Sequence, residues 1–107
     1  MIKVTIMYPD KEGGRFDFDY YLKRHMPMSI ERLGQALRGV LVERGLSGVT
    51  QNSRPACVAI CHLFFDSVDA FLRAFMPHAE VLQGDIANYT NIEAVIQFSE
   101  VEIQRMG

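Results

Sequence analysis

The residues of this chain best suited to chemistry gather in one stretch, Phe16-Asp17-Phe18-Asp19-Tyr20-Tyr21-Leu22-Lys23-Arg24-His25-Met26-Pro27. Tyr21 and His25 stand four residues apart and so share one face of a helix. An imidazole changes charge near neutrality, which makes His25 against an apolar pocket a candidate general acid or base. Tyr21 would stand beside it as a partner or hydrogen-bond donor. The same spacing also fits a histidine that bonds a backbone carbonyl and braces a kink at Pro27, beside a tyrosine that is simply core.

Two further histidines widen the candidate site. His62 interrupts an apolar run, where a polar ring needs a partner. It converges with His25 if its face meets the helices, and becomes an interface residue if that face meets a second subunit. His78 follows Pro77 and reads either as a helix-capping residue or as part of a pocket rim. No two of the three histidines stand three or four residues apart, the spacing by which one helix presents metal ligands, so no metal site is expected. Phe18, Phe71 and Phe75 read as core that would line any cavity, and the 6 methionines suit an adaptable apolar pocket. Ser29, Ser67 and Ser99 lack the glycine-flanked elbow of a hydrolase nucleophile. Gly13-Gly14 is a turn without the helix-opening pattern of a nucleotide-binding loop.

The elements that must position these groups follow from periodicity. Ile2, Val4, Ile6 and Tyr8 alternate with Lys3, Thr5 and Met7, which predicts a strand ending at Pro9. Asp17 is a helix cap, and Phe18, Tyr21, Leu22 and His25 define the buried face of the helix it starts. Pro27 is expected to end or kink that helix, with a second short helix carrying Ile30, Leu33 and Leu37. Residues 39 to 43 predict a second strand, followed by a polar loop, and residues 56 to 65 predict a third. Ser67 caps a helix bearing Val68, Phe71, Leu72 and Phe75, which Pro77 breaks before one more turn to Gly84. Residues 91 to 103 read as a long last strand.

The order strand, helix, strand, strand, helix, strand predicts a ferredoxin-like βαββαβ α+β fold, a four-stranded antiparallel sheet with helices on one face, in one domain over residues 1 to 107. The third strand is apolar on both faces, yet one chain covers only one of them. The economical cover is a second copy packed face to face, so a homodimer is expected.

Composition narrows the partners. A hydrophobic fraction of 49% supports one core, and 22% charged residues with a net charge of −2 suit a soluble surface. No basic run exceeds Lys23-Arg24, which argues against nucleic acid and anionic lipid. No apolar stretch approaches the roughly 20 residues of a membrane helix, and the first residues lack a leader pattern, so a cytoplasmic protein is expected. The 2 cysteines, Cys57 and Cys61, read as small reduced thiols, too far apart along one strand to bridge.

The segments Met1 to Pro9 and Phe16 to Pro27 with its His-Met-Pro together resemble the EthD-like family of dimeric α+β barrel proteins. So do Leu63-Phe64-Phe65-Asp66-Ser67-Val68-Asp69-Ala70-Phe71, Gly84-Asp85-Ile86-Ala87-Asn88-Tyr89-Thr90 and Gln97-Phe98-Ser99-Glu100-Val101. Ala87 stands where the family turn often carries proline. The resemblance implies the fold, the dimer and a pocket between sheet and helices. The family takes its name from a protein associated with bacterial ether degradation, and the wider superfamily includes muconolactone isomerases, polyketide cyclases and cofactor-free monooxygenases.

Two functions are therefore expected as alternatives. One is a cofactor-independent enzyme of small-molecule catabolism or secondary metabolism, acting on an apolar oxygenated or cyclic compound by proton transfer through His25. Tyr21, His62, His78 and the three phenylalanines would then bind substrate. The other is a non-catalytic binding or accessory protein for a hydrophobic small molecule or an oxygenase system.

Overall fold

A computed structural model describes residues 1–107. Strand β1 (Ile2–Pro9) pairs antiparallel with β3 (Cys57–Phe65) on one side and β4 (Val95–Glu100) on the other, and β2 (Gly39–Arg44) pairs with the outer edge of β3. The resulting order β2-β3-β1-β4, with helices connecting the strands, is a ferredoxin-like α+β fold. Alternation decides which side chains meet the helices. Ala59, Cys61, Leu63 and Phe65 of β3 are buried with Val4 and Tyr8 of β1, whereas Val58, Ile60, His62 and Phe64 look the other way and remain half-buried. No helix is long and apolar enough to cross a membrane.

Asp17 caps helix α1 (Phe18–Tyr20) by accepting the Tyr20 N–H at 3.1 Å. The chain does not stop at Pro27. It passes through a π turn (Tyr21–His25) directly into α2 (Met26–Leu33). Within the π turn the Met26 N–H reaches the Tyr21 carbonyl, five residues back. This wide turn takes up an extra residue just ahead of Pro27, whose ring would clash with the preceding turn of a regular helix. The altered phase also turns Leu22 outward, to 47% exposure, against the expectation that it shares the buried face of Tyr21 and His25. Gly34 ends α2 at φ +65°, a conformation glycine adopts without strain. Leu37 therefore lies beyond the helix in extended backbone, and Ile30 is largely exposed, so the expected stripe reduces to Leu33.

Ser67 caps α3 (Val68–Phe75) by accepting the Ala70 N–H at 3.0 Å. Pro77 ends α3 as expected: the chain passes through a 3₁₀ turn (Met76–His78), His78 leaves helical geometry, and a separate helix α4 (Ala79–Gly84) follows with a further 3₁₀ turn (Ile86–Asn88). A proline in the first turn of a helix forfeits only an N–H that had no partner there. The last strand is shorter than the 91 to 103 alternation suggests. Asn91 is drawn into the loop after β1, its amide donating to the Gly13 carbonyl at 3.1 Å, and pairing with β1 begins only at Val95.

Gly45, just past β2, has the closest neighbours of any glycine in the chain. A Cβ there would sit 2.1 Å from the Cys57 carbonyl oxygen and 2.8 Å from the Pro55 Cβ. Gly45→Ala is expected to destabilise by about 1–3 kcal/mol and lower Tm accordingly. Gly84→Ala, where a Cβ would meet nothing within 4 Å, should leave Tm unchanged or raised in the same thermal unfolding experiment.

Candidate functional site

Between helices and sheet lies a cavity of about 270 Å³, and 13 of its 16 lining residues are hydrophobic. Val4 and Ile6 of β1, Leu63 of β3, and Ile96 and Phe98 of β4 form the sheet wall. Leu33 of α2 with Phe71 and Phe75 of α3 form the helix wall. The Phe71 ring packs in parallel on Phe75 at 5.2 Å and meets Phe98 edge-on at 5.5 Å, so flat aromatic surface covers one side. Such a lining favours an apolar or aromatic guest, and the few polar side chains present decide its orientation.

His25 is the polar group best placed for chemistry. Its Nδ1 lies 2.9 Å from Asp85 Oδ2, with the two side chains 11% and 13% exposed. Asp85 also accepts the Tyr20 hydroxyl at 2.6 Å and the Asn88 side-chain amide at 3.0 Å. Burial opposes ionisation of Asp85, but hydrogen bonds from Tyr20, Asn88 and His25 outweigh it and hold its pKa below the usual carboxylate value. An ionised Asp85 accepts from His25, which fixes the proton on Nδ1 in the neutral ring. Nε2 is then a bare acceptor. It has no protein partner and is not sealed off, and His25 lines the cavity. Ser29 donates to the His25 carbonyl at 2.9 Å, anchoring the backbone one turn on.

The π turn makes this convergence possible. Tyr20 and His25 are five residues apart, a separation that places side chains about 140° apart around a regular helix. Where the turn closes over five residues, both reach the same carboxylate. The carboxylate is held in turn by the loop that carries it. The Asp17 N–H donates to the Tyr89 carbonyl at 2.7 Å, the Thr90 hydroxyl donates to the Arg15 carbonyl at 2.6 Å, and the Arg15 N–H donates to Asn91 Oδ1 at 2.8 Å. These bonds lace residues 84 to 92 onto the approach to α1.

Behind His25 lies an aromatic cluster. Tyr21 stacks on the imidazole at 5.6 Å with 14° between planes, and Tyr89 tilts against it at 4.6 Å. The Tyr8 and Tyr89 hydroxyls bond each other at 2.7 Å. Burial raises the pKa of all three phenols, so they are neutral donors at ordinary pH. Burial also pushes the Cys61 thiol up to about 11, against a hydrogen bond with Tyr21, and so keeps it protonated and unreactive.

Of the residues singled out from sequence, His25, Phe71 and Phe75 meet at the cavity. Tyr21 is 1% exposed and supports the back of the imidazole from within the core. Phe18 lies away from the cavity, packed on Phe16 at 4.5 Å with the Arg44 guanidinium 4.0 Å above its ring. His62 occupies the opposite face of the sheet. Its Nε2 is 3.1 Å from Glu43 Oε1 and its Nδ1 is 3.4 Å from the Thr5 hydroxyl, because the alternation of β3 sends Cys61 and Leu63 inward and His62 outward. His78 accepts from Arg32 at 3.3 Å and does not line the cavity. Sequence reasoning passed over Asp85, Tyr20, Tyr8 and Tyr89. The available signal for Asp85 was an acid embedded in the Gly84 to Thr90 turn, and for Tyr20 the tyrosine doublet itself.

No family model and no curated protein matches the chain. Among solved structures, it is similar to an EthD-like protein from Ralstonia eutropha JMP134, with 49% identity, coverage of 97% of this chain and 94% of that one, and a TM-score of 0.93. An ethyl tert-butyl ether D (EthD) family protein from Bacillus halodurans C-125 shares the fold at 19% identity and a TM-score of 0.72, covering 94% and 98% of the two chains. HapK from Hahella chejuensis shares it more distantly, at 12% identity and a TM-score of 0.55 over 98% of both chains. On the strength of the Ralstonia match, which spans nearly the whole of both proteins, the chain belongs to the EthD-like family.

Proposed function

We propose that this protein is a cofactor-independent enzyme that moves a proton on an apolar oxygenated or cyclic compound, in small-molecule catabolism or secondary metabolism. The observation that carries this reading is the His25–Asp85 pair, with Nδ1 committed to the carboxylate at 2.9 Å and Nε2 left unpartnered at an apolar cavity. Nε2 would take a proton from a C–H or O–H of the bound compound, and Asp85 would stabilise the imidazolium until the proton is returned elsewhere on the ligand. The apolar walls favour the ligand over water and bring it to the base.

A second copy of the chain is proposed to cover the open face of the sheet. That face carries Ile60 and Phe64, half-buried, beside Leu41 at 42% and Val95 at 53% exposure. Apolar surface of this kind favours association.

Proton transfer is tested on a panel of cyclic ketones and phenols, with conversion and deuterium uptake followed by mass spectrometry. His25→Ala should lower turnover by at least about 100-fold, with circular dichroism and ligand affinity retained. A protein with no turnover in any arm, whose His25→Ala variant binds as the wild type does, is a binder and not an enzyme. Asp85→Asn gives a separate stability test. Because the folded pKa of Asp85 is depressed, its contribution is full above the ordinary value of 3.8 and is lost as pH falls through the lowered one. The Tm gap between wild type and Asp85→Asn should therefore shrink as pH falls below about 4. For the dimer, sedimentation at micromolar concentration should give twice the monomer mass, and Ile60→Lys should give the monomer. A monodisperse wild-type monomer refutes it.

A further inference from the structure

Tyr8 and Tyr89 present a hydrogen-bonding surplus inside the protein. They are 3% and 0% exposed, and the single bond between their hydroxyls, at 2.7 Å, uses one of two phenolic protons. Neither hydroxyl has another partner. One O–H therefore has no acceptor among the protein's own atoms, in surroundings where an unmet donor is costly. Both tyrosines line the cavity, and the Tyr89 ring lies 4.6 Å from the imidazole of His25.

This donor complements His25. With Nδ1–H given to Asp85, the neutral ring offers only an acceptor at Nε2. The cavity thus pairs one acceptor with one spare donor among otherwise apolar walls. We propose that the Tyr8–Tyr89 pair donates to a ligand's carbonyl oxygen, so that the compound taken is a cyclic or aromatic ketone whose acidic proton is offered to His25. As the base removes the proton α to the carbonyl, its electron pair passes to the carbonyl oxygen, and the phenolic O–H stabilises the enolate that forms. The proton then returns from Nε2 to the ligand, so no further reactant is consumed. Burial keeps both phenols protonated, so both remain donors at ordinary pH.

This assignment rests on the cavity being a ligand site, and the test separates the two claims. Acetophenone and α-methylstyrene have the same shape and differ by an oxygen in place of a CH₂ group. Calorimetry should show the wild type binding acetophenone about fivefold more tightly, the effect of one neutral hydrogen bond of about 1 kcal/mol. The carbonyl stretch of bound acetophenone should shift to lower frequency. Tyr89→Phe leaves the O–H of Tyr8, the more accessible of the two, and should keep the preference. The double variant should lose both preference and shift while binding α-methylstyrene unchanged. If the double variant does not fold, the carbonyl stretch in the wild type decides alone. An unshifted stretch, or a preference that survives in the folded double variant, overturns the donor assignment and leaves the cavity reading standing. Failure of both probes to bind overturns the cavity reading and this assignment with it.

Discussion

The carboxylate of Asp85 is the point on which the site's geometry depends. It accepts donors from α1, from the π turn and from its own 3₁₀ turn, through Tyr20, His25 and Asn88. A carboxylate so held remains ionised despite partial burial, and an ionised partner dictates which imidazole nitrogen carries the proton. Everything that places Asp85, including the bonds that lace Tyr89, Thr90 and Asn91 to the residues before α1, therefore also sets the chemical character of His25. The site is shared between two distant parts of the chain and exists only when both are in register.

Around that hydrogen-bonded pair the protein surrounds His25 with groups that do not change charge. Tyr8, Tyr21 and Tyr89 pack ring against ring, and Cys61 stays a thiol because its burial disfavours the thiolate. A cavity with few mobile charges leaves the imidazole as its most responsive group. The neutral phenols also avoid the cost of buried charge while retaining directional hydrogen bonding.

How much of this was legible in the sequence depended on whether a residue's role was local. The caps at Asp17 and Ser67 follow from side-chain chemistry within three residues, and both form as expected. The division of β3 into two side-chain sets follows from two-residue alternation, which a sheet enforces strictly. Asp85 and His25 are 60 residues apart, and no periodicity links a turn acid to a helix histidine over that distance. Tyr20 was passed over for a different reason. Regular helical spacing favours Tyr21 as the neighbour of His25, and the π turn breaks that spacing. Proline was over-read at Pro27, where the π turn accommodates the ring and the helix runs on, whereas Pro77 ends its helix as expected. The face on which His62 lies needed only the third strand's alternation together with knowledge of which face the helices cover, and the latter is a property of the assembled fold.

The π turn has a consequence for how the gene can vary. It amounts to one surplus residue inside a helix, so Phe18–Tyr20 and Met26–Leu33 follow two helical wheels offset from each other. Loss of one codon between positions 21 and 25 would restore regular winding without changing the type of any functional residue. It would also leave Tyr20 and His25 four residues apart, about 40° around a regular helix, so both would still face one carboxylate. The residue count of this segment is therefore free to differ by one at the π turn, and a relative that aligns with a one-residue gap there keeps both the letters of the motif and its geometry.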